Sequence, residues 1–116
     1  MRDENNWIQL APGVKRMTAA VGEKMMQVIV KFDAGAKVPQ HAHVHEQIAA
    51  VLSGKLRLII EGTPHDLSAG DSVALGSNVP HAAEALEECL VLDTFSPPRQ
   101  DMLEIDRQHA EKKQAS

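Results

Sequence analysis

The sequence predicts an all-β domain: a sandwich or barrel of short strands, closed by a short helical turn near the C-terminal end. Three observations predict it. Apolar residues alternate at period two in several short windows. Compact Gly-containing turns separate those windows at the spacing of strands. Helical patterning is absent until after Pro97-Pro98.

The elements follow in order. Residues 1–10 read as a polar arm with one anchor, Trp7 or Ile8. Residues 11–106 read as a single domain. Within it, Met26, Val28, Val30 and Phe32 share one parity of a strand, with Gln27 and Lys31 on the other. Ile48 to Leu52 is a second apolar run, ended by Ser53-Gly54. Lys55 to Glu61 again runs close to period two. Glu61-Gly62-Thr63 and Ala69-Gly70-Asp71 are compact turns. Cys89 to Leu92 is a further strand. Asp101 to Ile105 has the character of one helical turn. Residues 107–116 are charged and polar and read as a frayed tail.

Composition narrows the function. A chain of 116 residues is one domain. Aromatic content is 3% with no Tyr, so aliphatic side chains fill the core and no tyrosine serves as acid, base or nucleophile. Twelve basic residues are scattered among 16 acidic ones, for a net charge of −4. Neither a phosphate-tracking stripe nor a base-stacking platform can be built from that, so no nucleic-acid partner is expected. The single Cys89 excludes an internal disulfide and a Cys-based zinc site. No apolar run is long enough to span a membrane. Met1 to Asn6 has no apolar segment to act as a secretory signal, so the expected location is the cytoplasm.

Three of the six histidines are His41, His43 and His45. On a strand, residues two apart face the same side, so His41 and His43 point together as two metal ligands would. Gln47 follows four residues later, and His81 comes much further on, after Asn78-Val79-Pro80. A pair on one strand plus a ligand from a distant strand is how a β-barrel closes a metal site. The opposing reading is a solvated His-rich turn. Gly35, Gly54 and Gly70 sit where flanking strands must turn, which favours the metal reading. His45 shares the parity but falls in the turn, and is read as a rim residue. Glu46 reads as a turn carboxylate and His65 as an exposed turn residue. His109 falls in the tail.

These residues resemble the two motifs of the cupins. Gly35, His41, His43 and Gly54 match the first, with Gln47 at the position of its Glu. Gly70 and His81 match the second, in which Gly76, Asn78 and Ala85 replace Pro, Gly and Asn. The resemblance implies a cupin jelly-roll β-barrel, consistent with the short strands. Three imidazoles and an amide oxygen form a neutral donor set. It leaves a divalent ion its full charge and suits Lewis-acid chemistry. The cofactor expected is one divalent transition metal, Zn, Ni, Fe or Mn.

A second unusual stretch is Leu92-Asp93-Thr94-Phe95-Ser96-Pro97-Pro98-Arg99. A carboxylate in an apolar strand is costly to bury without a partner. Asp93 is therefore either a site residue or half of a structural ion pair with Arg99. Together with the histidine blocks, this stretch resembles the KdgF family of small cupins over about residues 11–103. The resemblance implies His41, His43, Gln47 and His81 as metal ligands. It also implies Asp93 and Arg99 as active-site residues, with Phe95 beside them. Asp93 is then the expected acid/base, with Arg99 and Phe95 binding substrate. The activity implied is linearisation of 4,5-unsaturated monouronates, small sugar acids from pectin and alginate breakdown. The alternatives are an iron-dependent cupin dioxygenase and a non-catalytic sugar- or metal-binding cupin. Where many relatives carry aromatics, this chain has Ile48-Ala49-Ala50-Val51 and Ser72-Val73-Ala74-Leu75-Gly76, which implies a roomier pocket. Exposed sheet edges need covering, so a homodimer paired through the N-terminal arm is expected.

Overall fold

The structure, a computed structural model, describes residues 6–115. The described chain folds as β1 (Ile8–Ala11), β2 (Val14–Val21), β3 (Met26–Phe32), β4 (Lys37–His41), β5 (Glu46–Ser53), β6 (Lys55–Ile60), β7 (Thr63–Ser68), β8 (Ser72–Leu75), β9 (His81–Ala85), β10 (Cys89–Ser96) and α1 (Gln100–Ala115). The strands form a six-stranded sheet, order β1-β2-β3-β10-β5-β8, and a four-stranded sheet, order β4-β9-β6-β7. Every pairing is antiparallel. β10, late in the chain, inserts between β3 and β5. That insertion places Asp93 opposite Val28 on one side and Ala49 on the other, at the middle of the larger sheet.

The core lies between the sheets. Met26, Val28, Val30 and Phe32 are buried, as their shared parity predicts, and meet Leu56, Leu58 and Ala85 of the smaller sheet. Phe32 and Phe95 are the aromatic members and aliphatic residues supply the rest. The outer face of the smaller sheet is charged. Lys37, Glu84, Arg57 and Asp66 stand in register across β4, β9, β6 and β7 with alternating sign. Lys37 pairs with Glu84 at 3.3 Å, and Arg57 holds Asp66 through two bonds of 2.7 and 3.0 Å. Such exposed pairs contribute little to stability, but they mark this face as solvated.

The turns obey their residues. Glu61 and Gly62 both adopt positive φ, 50° and 83°, in a two-residue hairpin between β6 and β7. Gly54 joins β5 to β6 at φ 79°. A Cβ on Gly54 would lie 2.1 Å from the Glu88 carbonyl oxygen and 2.7 Å from Cys89 Cβ. Gly54→Ala is therefore expected to cost about 2–4 kcal/mol from strained backbone and overpacking, read as a lower midpoint in urea.

Several expectations are corrected. His65 lies in β7, not in a turn, paired with Leu58 and still exposed. β7 is an edge strand, which is why Pro64 is tolerated in it. Of the N-terminal arm, residues 1–5 lie outside the described residues. Ile8 to Ala11 form β1 and pair with β2 of the same chain. Trp7 and Ile8 are both partly buried. The largest change is at the C-terminal end. The short helical turn and frayed tail are one helix, α1, of 16 residues. Arg107 bonds Glu104 and Glu111 at helical spacing, and Lys112 and Lys113 complement the last turn. Its inward face is Met102, Leu103, Asp106 and His109. Asp106 is held there by Arg16, which is 1% exposed and donates to it at 2.8 Å and to the Met102 carbonyl at 3.2 Å. Thr18 donates a further bond, of 2.5 Å, to the other oxygen of Asp106. No helix among the described residues is long and apolar enough to cross a membrane.

Candidate metal centre

The barrel encloses a cavity of about 270 Å³. Most of its wall is aliphatic, including Val30, Leu56, Leu58 and Val91. Its polar lining is His41, Gln47, His81, Asp93 and Arg99, with Phe95 and Met102 among them.

Three histidines converge there. The available nitrogens of His41, His43 and His81 all lie within 4.8 Å of one another. His41 ends β4 and His81 begins β9, directly opposite in register. His43 lies beyond the end of β4, in the loop leading to β5, rather than on the same strand face as His41. The loop is tied down from another direction: Asn78 N–H donates to the His43 carbonyl at 2.7 Å. Asn78 has φ 62°, a conformation for which Gly and Asn are suited. This explains how Asn78 can occupy the Gly position of the second motif.

Each ring is oriented by a backbone carbonyl. Nδ1 of His41, His43 and His81 lies 3.0, 3.0 and 2.8 Å from the carbonyls of Pro39, His45 and Val79. A carbonyl only accepts, so each Nδ1 carries the proton and each Nε2 presents a lone pair. Carbonyl-fixed tautomers of this kind are the usual support of metal-binding imidazoles. Nε2 of His81 is buried and has no partner. Nε2 of His43 lies 3.1 Å from Gln47 Oε1. Those two atoms are both acceptors, because Gln47 directs its Nε2–H₂ at Asp93 Oδ1, 2.9 Å away. Facing acceptors and an orphaned buried lone pair are a donor set that a cation satisfies. Two of the imidazoles are also biased toward the neutral form. Burial lowers the pKa of His43 and of His81, and the Arg99 charge pushes both the same way. The residues present therefore fit a divalent metal. Adding such an ion at about 100 times its Kd is expected to stabilise the fold by about 2.7 kcal/mol, checked by thermal melting with and without chelator.

Asp93 faces this group from β10. Burial pushes its carboxyl up to about 6, opposed by the Gln47 bond and by Arg99. The Asp93–Arg99 structural pair is not what forms. Arg99 gives Nε and Nη2 to Asp101, at 3.1 and 2.8 Å, and Asp93 pairs with Gln47. The Arg99 guanidinium stands 5.0 Å from the Phe95 ring centre, within cation–π range. Phe95 in turn meets the His43 ring edge-on at 5.7 Å.

The remaining histidines are not among the three converging nitrogens. His45 sets its ring at a tilt to His43 and edge-on to Phe95, and orients His43 through its carbonyl. Glu46 opens β5 and is exposed. His109 lines a separate groove between α1 and β2. Sequence reasoning missed Asn78 and Asp101. The first was legible only as a departure from a motif, and the second only as an acidic residue at a helix start.

Two sheets around a cavity, with three imidazoles converging at its mouth and two of them on its lining, define a cupin. The family model described as "Cupin domain" matches residues 28–95. The chain belongs to the cupin family and, within it, to the KdgF proteins. It is 41% identical over 103 residues to the pectin degradation protein KdgF of Dickeya dadantii (strain 3937), spanning 87% of this chain and 94% of that protein. The structure of KdgF from Halomonas sp. superposes with a TM-score of 0.79 at 41% identity, covering 83% of this chain and 89% of that one. An RmlC-like cupin from Shewanella frigidimarina NCIMB 400 gives 0.78 at 33% identity, covering 83% and 86%.

Proposed function

We propose that this protein opens and ketonises 4,5-unsaturated monouronates released in pectin and alginate breakdown, using one divalent transition metal held by His41, His43, Gln47 and His81. The observation that carries the reading is the polar lining of the cavity, where Asp93 and Arg99 share the wall with the converging imidazoles. A module that only binds has no need of a carboxylate bonded to a metal-site amide.

The substrate is a cyclic hemiacetal with a C4–C5 double bond and a carboxylate. When bound, the ion supplies Lewis-acid polarisation of substrate oxygens. Asp93 removes the proton of the anomeric hydroxyl, the C1 carbonyl forms, and the bond from C1 to the ring oxygen breaks. The ring oxygen departs as the enolate oxygen on C5. Asp93 then returns the proton to C4, giving the 5-keto acid with no net change in protons. Arg99 holds the uronate carboxylate by paired hydrogen bonds. Phe95 walls the sugar ring. Ala49, beside Asp93 on β5, adds only a methyl group to the same wall.

The test follows loss of the unsaturated-uronate absorbance with metal-loaded protein, against the spontaneous rate. Acceleration with galacturonate- or guluronate-derived acids, lost on chelation, supports the reading. No acceleration with either overturns it. The assembly we propose is a homodimer paired through the open edge of β1. A monomer mass by light scattering at micromolar concentration would rule it out.

A further inference from the structure

We propose that Asp101 is a positioning residue of this cavity: its carboxylate clamps the Nε–Nη2 edge of Arg99 and aims the Nη1–Nη2 end, over Phe95, at the carboxylate of an acidic substrate. The inference rests on the reading of Arg99 as the substrate anchor.

The backbone of Arg99 is fixed on both sides. Its N–H donates to Met26 Sδ at 3.0 Å, and its carbonyl accepts from Leu103 N–H at 3.0 Å as α1 begins. Apart from its approach to the Phe95 ring, the side chain has no such restraint of its own, and a free arginine loses much rotamer freedom when it is ordered. Asp101 supplies the restraint. Its two oxygens take Nε and Nη2 of Arg99, and the arginine side chain is left 13% exposed while Asp101 is 58% exposed. A guanidinium has five N–H donors in a rigid fork, so the end formed by Nη1 and the second hydrogen of Nη2 stays available for a second carboxylate. One carboxylate then orients and the other is bound.

Asp101 is well placed to stay ionised. It lies in the first turn of α1, where the helix dipole favours negative charge. With Arg99 beside it, its carboxyl falls to about 2. Its charge also opposes an incoming anion. That opposition acts from a largely solvated position and is screened, whereas a misaligned fork loses a paired contact directly. Asp101 itself is largely solvated, so its half of the pair contributes little to stability. Loss of Asp101 is therefore expected to show in binding rather than in folding.

The experiment compares metal-loaded wild type, Asp101→Asn and Asp101→Glu by three measurements. The ¹⁵N NMR signal of Arg99 Nε–H reports the clamp. Calorimetric titration with saturated galacturonate reports carboxylate binding without reaction. Steady-state kinetics with an unsaturated monouronate separates KM from kcat. Asp101→Asn is expected to move the Nε–H signal, weaken galacturonate about tenfold, raise KM about tenfold and leave kcat within about twofold. Asp101→Glu recovers part of the loss. An Asp101→Asn protein with a moved Nε–H signal but unchanged affinity and KM overturns the positioning role. If wild type turns over no unsaturated uronate, yet Asp101→Asn still weakens galacturonate, the proposed activity fails and the positioning role stands. A wild type that neither binds galacturonate nor turns over the unsaturated acid overturns both.

Discussion

Asp93→Asn is expected to lower turnover of the unsaturated uronate by about 10²–10⁴-fold, the usual contribution of a positioned acid or base. It is also expected to keep the metal and to make the metal-free protein more stable at neutral pH. The three effects share one cause. Asn occupies the same space and can still accept the Gln47 N–H through its amide oxygen, so the hydrogen bond of 2.9 Å has a replacement. It cannot carry a proton to or from substrate. It also has no charge to desolvate.

The sign of the stability effect comes from the carboxyl's shift. Burial raises Asp93 from 3.8 to about 6. Between those values the folded protein holds a proton that the unfolded chain has released. Folding stability therefore falls as pH rises through about 4 to 6, and the cost is complete above 6. A shift of roughly two units corresponds to on the order of 3 kcal/mol. Urea unfolding of both proteins in chelator, at pH 4 and pH 7, isolates this group, because the histidine contributions are common to both and cancel. Wild type should lose stability relative to Asp93→Asn across that interval. Equal curves at both pH values, or a variant with full turnover, would remove Asp93 from the acid/base role.

Much of this centre was legible because its signals are local. The His41, His43, Gln47 and His81 spacing, with Gly54 at a turn that tolerates no Cβ, reads directly from the chain. The pairing of His41 with His43 was reached by a strand-parity argument that does not hold, since β4 stops at His41. What brings His43 into place is the Asn78 bond from a loop 35 residues away, and no period reports that. α1 was illegible for a different reason. Helix recognition relies on apolar residues at helical spacing, and the inward positions here include Asp106 and His109. Asp106 is tolerated because Arg16, on a strand 90 residues earlier, is buried against it. Arg99 was expected either to pair with Asp93 or to bind substrate, and a carboxylate two residues along occupies one edge of its fork. In each case a long-range or side-chain partner decided the outcome, and a one-dimensional pattern contains no trace of it.

Gln47→Glu is expected to be the more disruptive change at the metal site, although Glu is the residue the first cupin motif carries there. Gln47 is 7% exposed and uses both ends of its amide. The oxygen faces His43, and the nitrogen donates to Asp93. An ionised Glu has only acceptors, so it would set one carboxylate against another at hydrogen-bond distance. The two cannot both ionise at ordinary cost and would share a proton. In the metal-free protein this costs on the order of 3 kcal/mol, for a buried charged group left without a donor. With an ion bound, the added negative charge tightens metal binding and reduces its Lewis acidity. Asp93, committed to the shared proton, is no longer free for its proposed role as base, and turnover is expected to fall about 10²-fold or more. The double variant Gln47→Glu with Asp93→Asn reverses the polarity of the bond: the Asn N–H₂ donates to the Glu carboxylate. It should recover metal-free stability and remain inactive. A double-mutant cycle on urea midpoints measures the coupling directly. Single effects that add within about 0.5 kcal/mol would mean that the bond to Asp93 is not what requires an amide at position 47.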